Sequence, residues 1–83
     1  MDTTIRIENE TMVKGRWLHI HIPYDAKQLS TATIQDKGGS LLKKTKLYQG
    51  NNSIDISNIT EETVDLKIET PFETILKEIK VNQ

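Results

Sequence analysis

Polar and apolar residues alternate along most of this chain, which is the period of a β-strand with one buried face. Three such runs lie within residues 33–57. The first ends at residues 36–39 (Asp-Lys-Gly-Gly), where glycine supplies the positive φ angles of a tight reversal. The second, residues 41–48, ends at a Gln-Gly-Asn-Asn turn, and the third covers residues 53–57. The pattern predicts three strands, with a hairpin between the first two.

Two further alternating runs precede this centre. Residues 3–8 place Ile5 and Ile7 on one face, which predicts a first strand. Residues 12–22 form a longer run, in which Gly15 predicts a bulge or a break. One face of the longer run carries Leu18, Ile20 and Ile22, and the other carries Trp17, His19 and His21.

The chain then leaves the alternating pattern on either side of its centre. Pro23 lacks the N–H that a strand ladder needs, and residues 24–30 are predicted to form a loop or one helical turn. Ile59 is expected to reach the core. Residues 63–69 form the most regular run of all. Its predicted inward positions are Val64, Leu66 and Ile68.

The last segment fits two interpretations. Residues 70–73 (Thr-Pro-Phe-Glu) have the form of a helix start, with a capping box and proline at the first helical position. The apolar residues at helical spacing are Phe72, Ile75, Leu76 and Ile79. Residues 73–81 also alternate as a strand, and the pattern of the whole chain favours that strand. A helix over residues 71–82 stays an open alternative.

The predicted elements indicate the fold class. About seven short strands with one apolar face each are typical of an antiparallel, immunoglobulin-like β-sandwich. Isoleucine, valine and threonine make up 24 of the 83 residues, whereas alanine occurs twice, and β-branched side chains favour strands over helices. We therefore predict an all-β fold, a single β-sandwich domain over residues 1–83. A five-stranded barrel is the alternative.

Charge and cysteine content narrow the range of partners. The net charge of −1 comes from 11 basic and 12 acidic residues that are interspersed, so neither a nucleic-acid partner nor membrane insertion is expected. The chain has no cysteine for a disulfide or a metal site, and no cofactor is expected. The N-terminus lacks the features of a signal peptide, so any export signal would lie outside this chain.

His19 and His21 are the candidate metal ligands. Their imidazoles project from the same side of a predicted strand, as paired ligands do in β-barrel metalloenzymes. A catalytic site needs a third protein ligand and an open position. The chain has no further histidine, and Asp25 lies beyond a proline. We therefore expect two solvent-facing strand residues.

Other side chains suggest binding rather than catalysis. Trp17 together with Tyr24 or Tyr48 would form a carbohydrate-stacking surface if their rings converge. The three lysines of residues 43–46 are expected to solvate an exposed strand and discourage edge-to-edge association. With no cysteine, no nucleophile motif and no paired serine and histidine, the chain is not expected to be an enzyme.

Four stretches of the chain carry a resemblance to known families. They are LHIHIPYDAKQLSTATIQDKGGSLLKKTKL, SIDISNI, VDLKIE and ILKEIKV, which together span residues 18–81. This order of features resembles the C-terminal sorting domain of the type IX secretion system of Bacteroidetes. It also resembles small secreted Bacteroides proteins of unknown function with immunoglobulin-like folds. The chain lacks the proline-asparagine-proline opening of the sorting family and the glycine-tyrosine pair that follows its SIDIS-like strand.

The resemblance to the sorting family implies a function. It implies a non-catalytic β-sandwich module of an exported protein, secreted or at the cell surface, that acts in C-terminal sorting or cell-surface attachment. Its partner would be a protein of the export or attachment machinery that recognises the folded surface and residues 74–83. The alternative is a free-standing secreted adhesive or carbohydrate-binding domain. Neither family implies a catalytic residue.

Overall fold

A computed structural model of the chain describes residues 4–12, 15–25 and 30–81. Within these ranges the backbone forms seven β-strands and no helix. The strands are β1 (Arg6–Met12), β2 (Gly15–Ile22), β3 (Ser30–Gln35), β4 (Leu41–Leu47), β5 (Gly50–Asp55), β6 (Thr63–Glu69) and β7 (Thr74–Lys80). Every strand pair is antiparallel.

The strands form two sheets. One has three strands in the order β1-β2-β5, and the other has four in the order β4-β3-β6-β7. In the constant type of immunoglobulin domain the fourth strand joins the sheet of strands 1, 2 and 5. Here β4 pairs with β3 instead. The predicted all-β, antiparallel β-sandwich is confirmed, and the two separate sheets replace the alternative of a five-stranded barrel.

The core lies between the sheets and is built from the alternating positions. In β6 the inward residues are at most 1% exposed while their neighbours Asp65 and Lys67 face solvent. Ile59 packs against the core and is partly buried. The buried apolar residues are Ile5, Leu18, Ile20, Ile22, Ala32, Ile34, Leu47, Ile54, Ile56, Val64, Leu66, Ile68, Ile79 and Val81. The faces predicted for β2 and β6 are therefore confirmed.

The two predicted turn signals lie in different types of connection, a hairpin within one sheet and a crossing between the two sheets. In the β3–β4 hairpin, Gly39 has a φ of 90° and its N–H donates to the Asp36 carbonyl at 3.0 Å. The Asp36 carboxylate accepts from the N–H groups of Gly38 and Ser40, both at 2.9 Å. Gly50, with a φ of 92°, instead begins β5 after the chain has crossed to the other sheet. Only the first signal makes a hairpin.

Several strand limits differ from the expected ones. β1 continues to Met12, where it pairs with Gly15, so the break predicted at Gly15 is the start of β2. β5 begins at Gly50, which pairs with Ile22 of β2. Before it, the Asn52 side chain accepts from the Tyr48 N–H at 2.9 Å and donates to the Tyr48 carbonyl at 2.8 Å. Ser30 already belongs to β3, and residues 26–29 of the predicted loop lie outside the described residues.

The ambiguous last segment forms a strand. The Thr70 hydroxyl accepts from the N–H groups of Phe72 and Glu73, both at 3.1 Å, as a helix-capping threonine would. The Thr70 N–H, however, donates to the Glu73 carbonyl at 2.9 Å and closes a hairpin between β6 and β7. The helix-capping sequence therefore stabilises a turn. The residues that follow it pair with β6 as a strand and do not form the hydrogen bonds of a helix.

Ser30 gives a first testable prediction, because its side chain is fully buried and its hydroxyl has no hydrogen-bond partner among the described residues. Burying an unpaired hydroxyl costs free energy. We expect Ser30→Ala to raise the free energy of unfolding by about 1 kcal/mol in urea titrations. Ser40→Ala, which removes an exposed hydroxyl just before β4, should change it by less than about 0.5 kcal/mol. A destabilised Ser30→Ala variant would contradict this account.

Candidate recognition surfaces

The two histidines lie on the outer face of the three-stranded sheet. His19 Nδ1 is 3.0 Å from Ser53 Oγ, and His21 Nδ1 is 2.8 Å from Asn51 Oδ1. Both rings are thus oriented by β5, the neighbouring strand. The described residues contain no group of three or more His, Cys, Asp or Glu side chains that could hold a metal ion.

The three predicted aromatic candidates do not form a common ring cluster. Trp17 is half-buried on β2, where it pairs across the sheet with Asp55. Tyr48 follows β4 and is 61% exposed, with Lys46 Nζ 5.4 Å from its ring centroid. Within the described part of the chain, the one ring-to-ring contact joins Tyr24 to Phe72 instead.

Tyr24 and Phe72 meet edge to face, with ring centroids 5.3 Å apart and planes at 89°. The Tyr24 hydroxyl donates to Glu73 Oε2 at 2.7 Å and lies 3.1 Å from Thr70 Oγ1. The Phe72 side chain stays 70% exposed. Sequence reasoning did not single out Phe72 as a surface residue, because it considered this ring only as part of a helix start or of the turn before the last strand. The fold brings the β6–β7 turn against the end of β2, which no local spacing reveals.

Burial raises the pKa of the Tyr24 phenol above its ordinary value of 10.0. The hydrogen bond to Glu73 and the charge of that carboxylate raise the pKa further, while the hydrogen bond with Thr70 opposes them. The folded state therefore holds this proton more tightly than the unfolded chain does. This contribution to stability is complete below the unfolded pKa and is lost as pH rises through the folded pKa.

A pH titration of stability tests this arrangement. Tyr24→Phe should lower the free energy of unfolding by about 1 kcal/mol at neutral pH, because two hydrogen-bond contacts are lost. The variant should lose less stability than the unmodified protein as pH rises above about 9, because the Tyr24 phenol of the unfolded chain ionises around its ordinary pKa of 10.0 and that of the folded chain at higher pH. Tyr48→Phe, which alters an exposed ring, should keep the alkaline loss. Equal alkaline losses in all three proteins would contradict the role of Tyr24.

The free edge of β7 is the most open backbone on the four-stranded sheet. Val81 N–H donates to the Glu62 carbonyl at 2.8 Å, which shows that the odd-numbered residues of β7 are the ones that hydrogen-bond to β6. Since alternate residues of an edge strand bond to its neighbour, the main-chain groups of Thr74, Leu76 and Glu78 point away from β6. No hydrogen bond from the described residues reaches those groups. The Leu76 side chain is 75% exposed.

The opposite edge, β4, is protected in contrast. Its register with β3 shifts between Ile34 and Gln35, which breaks the regular ladder. Lys43 Nζ donates to the Asp55 carbonyl at 2.7 Å and so reaches across to the other sheet. Two more lysines, Lys44 and Lys46, are exposed on this edge strand. Bulges and lysines of this kind discourage strand addition.

Comparisons of the chain with protein-family models, with curated proteins and with solved structures found no match. None of the described residues belongs to a helix long and apolar enough to cross a membrane.

Proposed function

We propose that this domain is a non-catalytic recognition module of an exported bacterial protein, acting in type IX sorting or in cell-surface attachment. The observation that supports the proposal is the free edge of β7, which lies in the segment that the sequence resemblance assigns to recognition. A regular edge strand with an exposed leucine offers a binding surface to another protein chain. The partner is a protein of the export or attachment machinery.

The structural roles of two polar clusters, around Asp36 and around Lys37, also support a binding function over catalysis. Asp36 shapes the β3–β4 turn. Lys37 lies between Asp65, at 2.8 Å, and Glu78, and these two carboxylates are directly opposite each other on β6 and β7. Both bonds to Lys37 raise its pKa, with Asp65 contributing most. These side chains stabilise a turn and neutralise charges on neighbouring strands. Such structural roles suit a module that a partner binds as a folded surface.

A fusion experiment tests the sorting role. The chain is attached to the C-terminus of a periplasmic reporter in a host with type IX secretion, beside a reporter that carries an established sorting domain. We expect export of the fusion, and loss of export with Leu76→Lys. Leu41→Lys is the matched control, because Leu41 is 60% exposed on the β4 edge of the same sheet. Retention of the unmodified fusion, while the established domain is exported, would refute the proposal.

A free-standing adhesive or carbohydrate-binding domain is the second candidate. It is favoured by the exposed Phe72 ring beside Tyr24, with the Thr70 hydroxyl and the Glu73 carboxylate next to them. An aromatic face bordered by hydrogen-bonding groups suits a sugar ring. A glycan-array screen would show ligands that bind the unmodified protein and fail to bind Phe72→Ala. Absence of any bound glycan, or binding unchanged by Phe72→Ala, would exclude this site.

A further inference from the structure

We infer that the β7 edge takes up an extended strand from a different protein, paired antiparallel to β7, with a charge pattern complementary to residues 76–78. This inference rests on the proposed role of β7 in recognition and specifies how the partner binds. The partner strand would carry an aliphatic residue opposite Leu76, an acidic residue opposite Lys77 and a basic residue opposite Glu78.

The backbone supplies the docking groups. The N–H and C=O groups of Thr74, Leu76 and Glu78 face away from β6, as the Val81 to Glu62 bond requires. The pairing of β6 with β7 continues from Thr63 opposite Lys80 to Glu69 opposite Thr74 without a shift. An added strand therefore meets a regular ladder along β7. The β4 edge, with its register shift, offers no such ladder.

Charge argues against a second copy of this chain as the occupant. A two-fold antiparallel pairing of β7 with itself over Thr74–Lys80 is centred on Lys77, so two Lys77 ammonium groups face each other. Moving the centre to Glu78 places two carboxylates opposite each other. Centring on Leu76 avoids both clashes but shortens the pairing to residues 74–78. Like charges directly opposite destabilise strand pairs, so the one self-pairing that uses the whole of β7 is disfavoured.

The same charges select a complementary strand. Lys77 is exposed although it shares the core-facing side of β7 with Ile75 and Ile79, and an acidic residue opposite would neutralise it. On the outer face, the Lys37 ammonium group is shared between the Asp65 and Glu78 carboxylates. A basic residue opposite Glu78 would give that carboxylate a partner of its own. An aliphatic residue opposite Leu76 would cover a side chain that is 75% exposed.

The test uses the full chain and a synthetic strand. The peptide Thr-Val-Lys-Glu-Ile-Val-Thr, blocked at both ends, places lysine opposite Glu78, glutamate opposite Lys77 and isoleucine opposite Leu76 when it runs antiparallel to β7. We expect amide NMR shifts along β7. We also expect slower hydrogen exchange at the N–H groups of Thr74, Leu76 and Glu78, which a peptide bound elsewhere would not protect.

The matched control peptide is Thr-Val-Glu-Lys-Ile-Val-Thr, which has the same composition with the two charges exchanged. It turns two attractive cross-strand pairs into two repulsive ones, so we expect its affinity to be about tenfold lower. Leu76→Lys should weaken binding of the first peptide about fivefold, whereas Leu41→Lys on the β4 edge should not. Well-dispersed amide spectra will show that both variants are folded.

Three results would overturn the inference. The first is no protection of the three edge amides by the complementary peptide, and the second is equal affinity for the two peptides. The third is concentration-dependent shifts of the same amides in the protein alone, which would identify a second copy as the occupant. If the peptide binds but the reporter fusion is not exported, strand binding at the β7 edge is supported and the sorting role is rejected. If the fusion is exported but the peptide does not bind, the sorting role is supported and strand binding at the β7 edge is rejected.

Discussion

Leu66→Ala is expected to lower the free energy of unfolding by about 3 kcal/mol. Leu66 lies in β6, at the centre of the four-stranded sheet, and is 1% exposed. It packs towards Leu18, Ile34 and Ile79, which line the same part of the core. The truncation removes apolar contacts and leaves a space that the surrounding strands cannot close. In a domain of 83 residues this loss is a large part of the total stability.

Leu76→Ala is the matched control for that experiment. Leu76 lies on the neighbouring strand β7, opposite Lys67, and is 75% exposed. The same change of side chain should therefore cost less than about 0.5 kcal/mol. Urea unfolding of both variants, followed by Trp17 fluorescence, measures the two values. Similar losses in the two variants would mean that β7 does not have the exposed outer face described above.

Arg16→Met is expected to lower the free energy of unfolding by about 2 kcal/mol. Arg16 lies near the start of β2, and its Nη1 donates to the Val81 carbonyl at 2.5 Å, just beyond the end of β7. This bond joins the two sheets at one end of the sandwich. Methionine keeps the aliphatic part of the side chain at position 16. The Val81 carbonyl, however, loses this donor, and Val81 is only 4% exposed. Bonds from charged donors are stronger than neutral ones.

Arg6→Met controls for the loss of a positive charge. Arg6 is exposed on β1 of the same three-stranded sheet. Its replacement should change stability by less than about 0.5 kcal/mol. Thermal unfolding of the two variants in parallel separates the inter-sheet bond from net charge. If both substitutions shift the midpoint equally, the Arg16 bond contributes nothing specific.

Alternation predicted most of the strands because burial acts on each residue separately. In β2, Leu18 and Ile20 face the core while His19 between them does not, as a period of two requires. The Asp-Lys-Gly-Gly hairpin was equally visible, since positive φ at Gly39 and the Asp36 carboxylate act within a few residues. Local rules of this kind need no knowledge of the fold.

The candidate surfaces were less predictable. His19 and His21 were expected on a solvent-facing side of β2, and they lie there. The bonds that orient them come from Ser53 and Asn51, which are 34 and 30 positions away, and depend on β2 lying beside β5. Residue spacing could not reveal that neighbour.

The sequence by itself determined that this protein is all-β and which residues of most strands face the core, because those properties follow from side-chain chemistry at alternate positions. Tertiary structure decided that β4 joins β3, that Tyr24 meets Phe72 and that β7 is left as an edge. It also decided that the Thr70 signal serves a hairpin rather than a helix. These outcomes depend on contacts between distant segments, whose free energies are settled only when both sheets are in place.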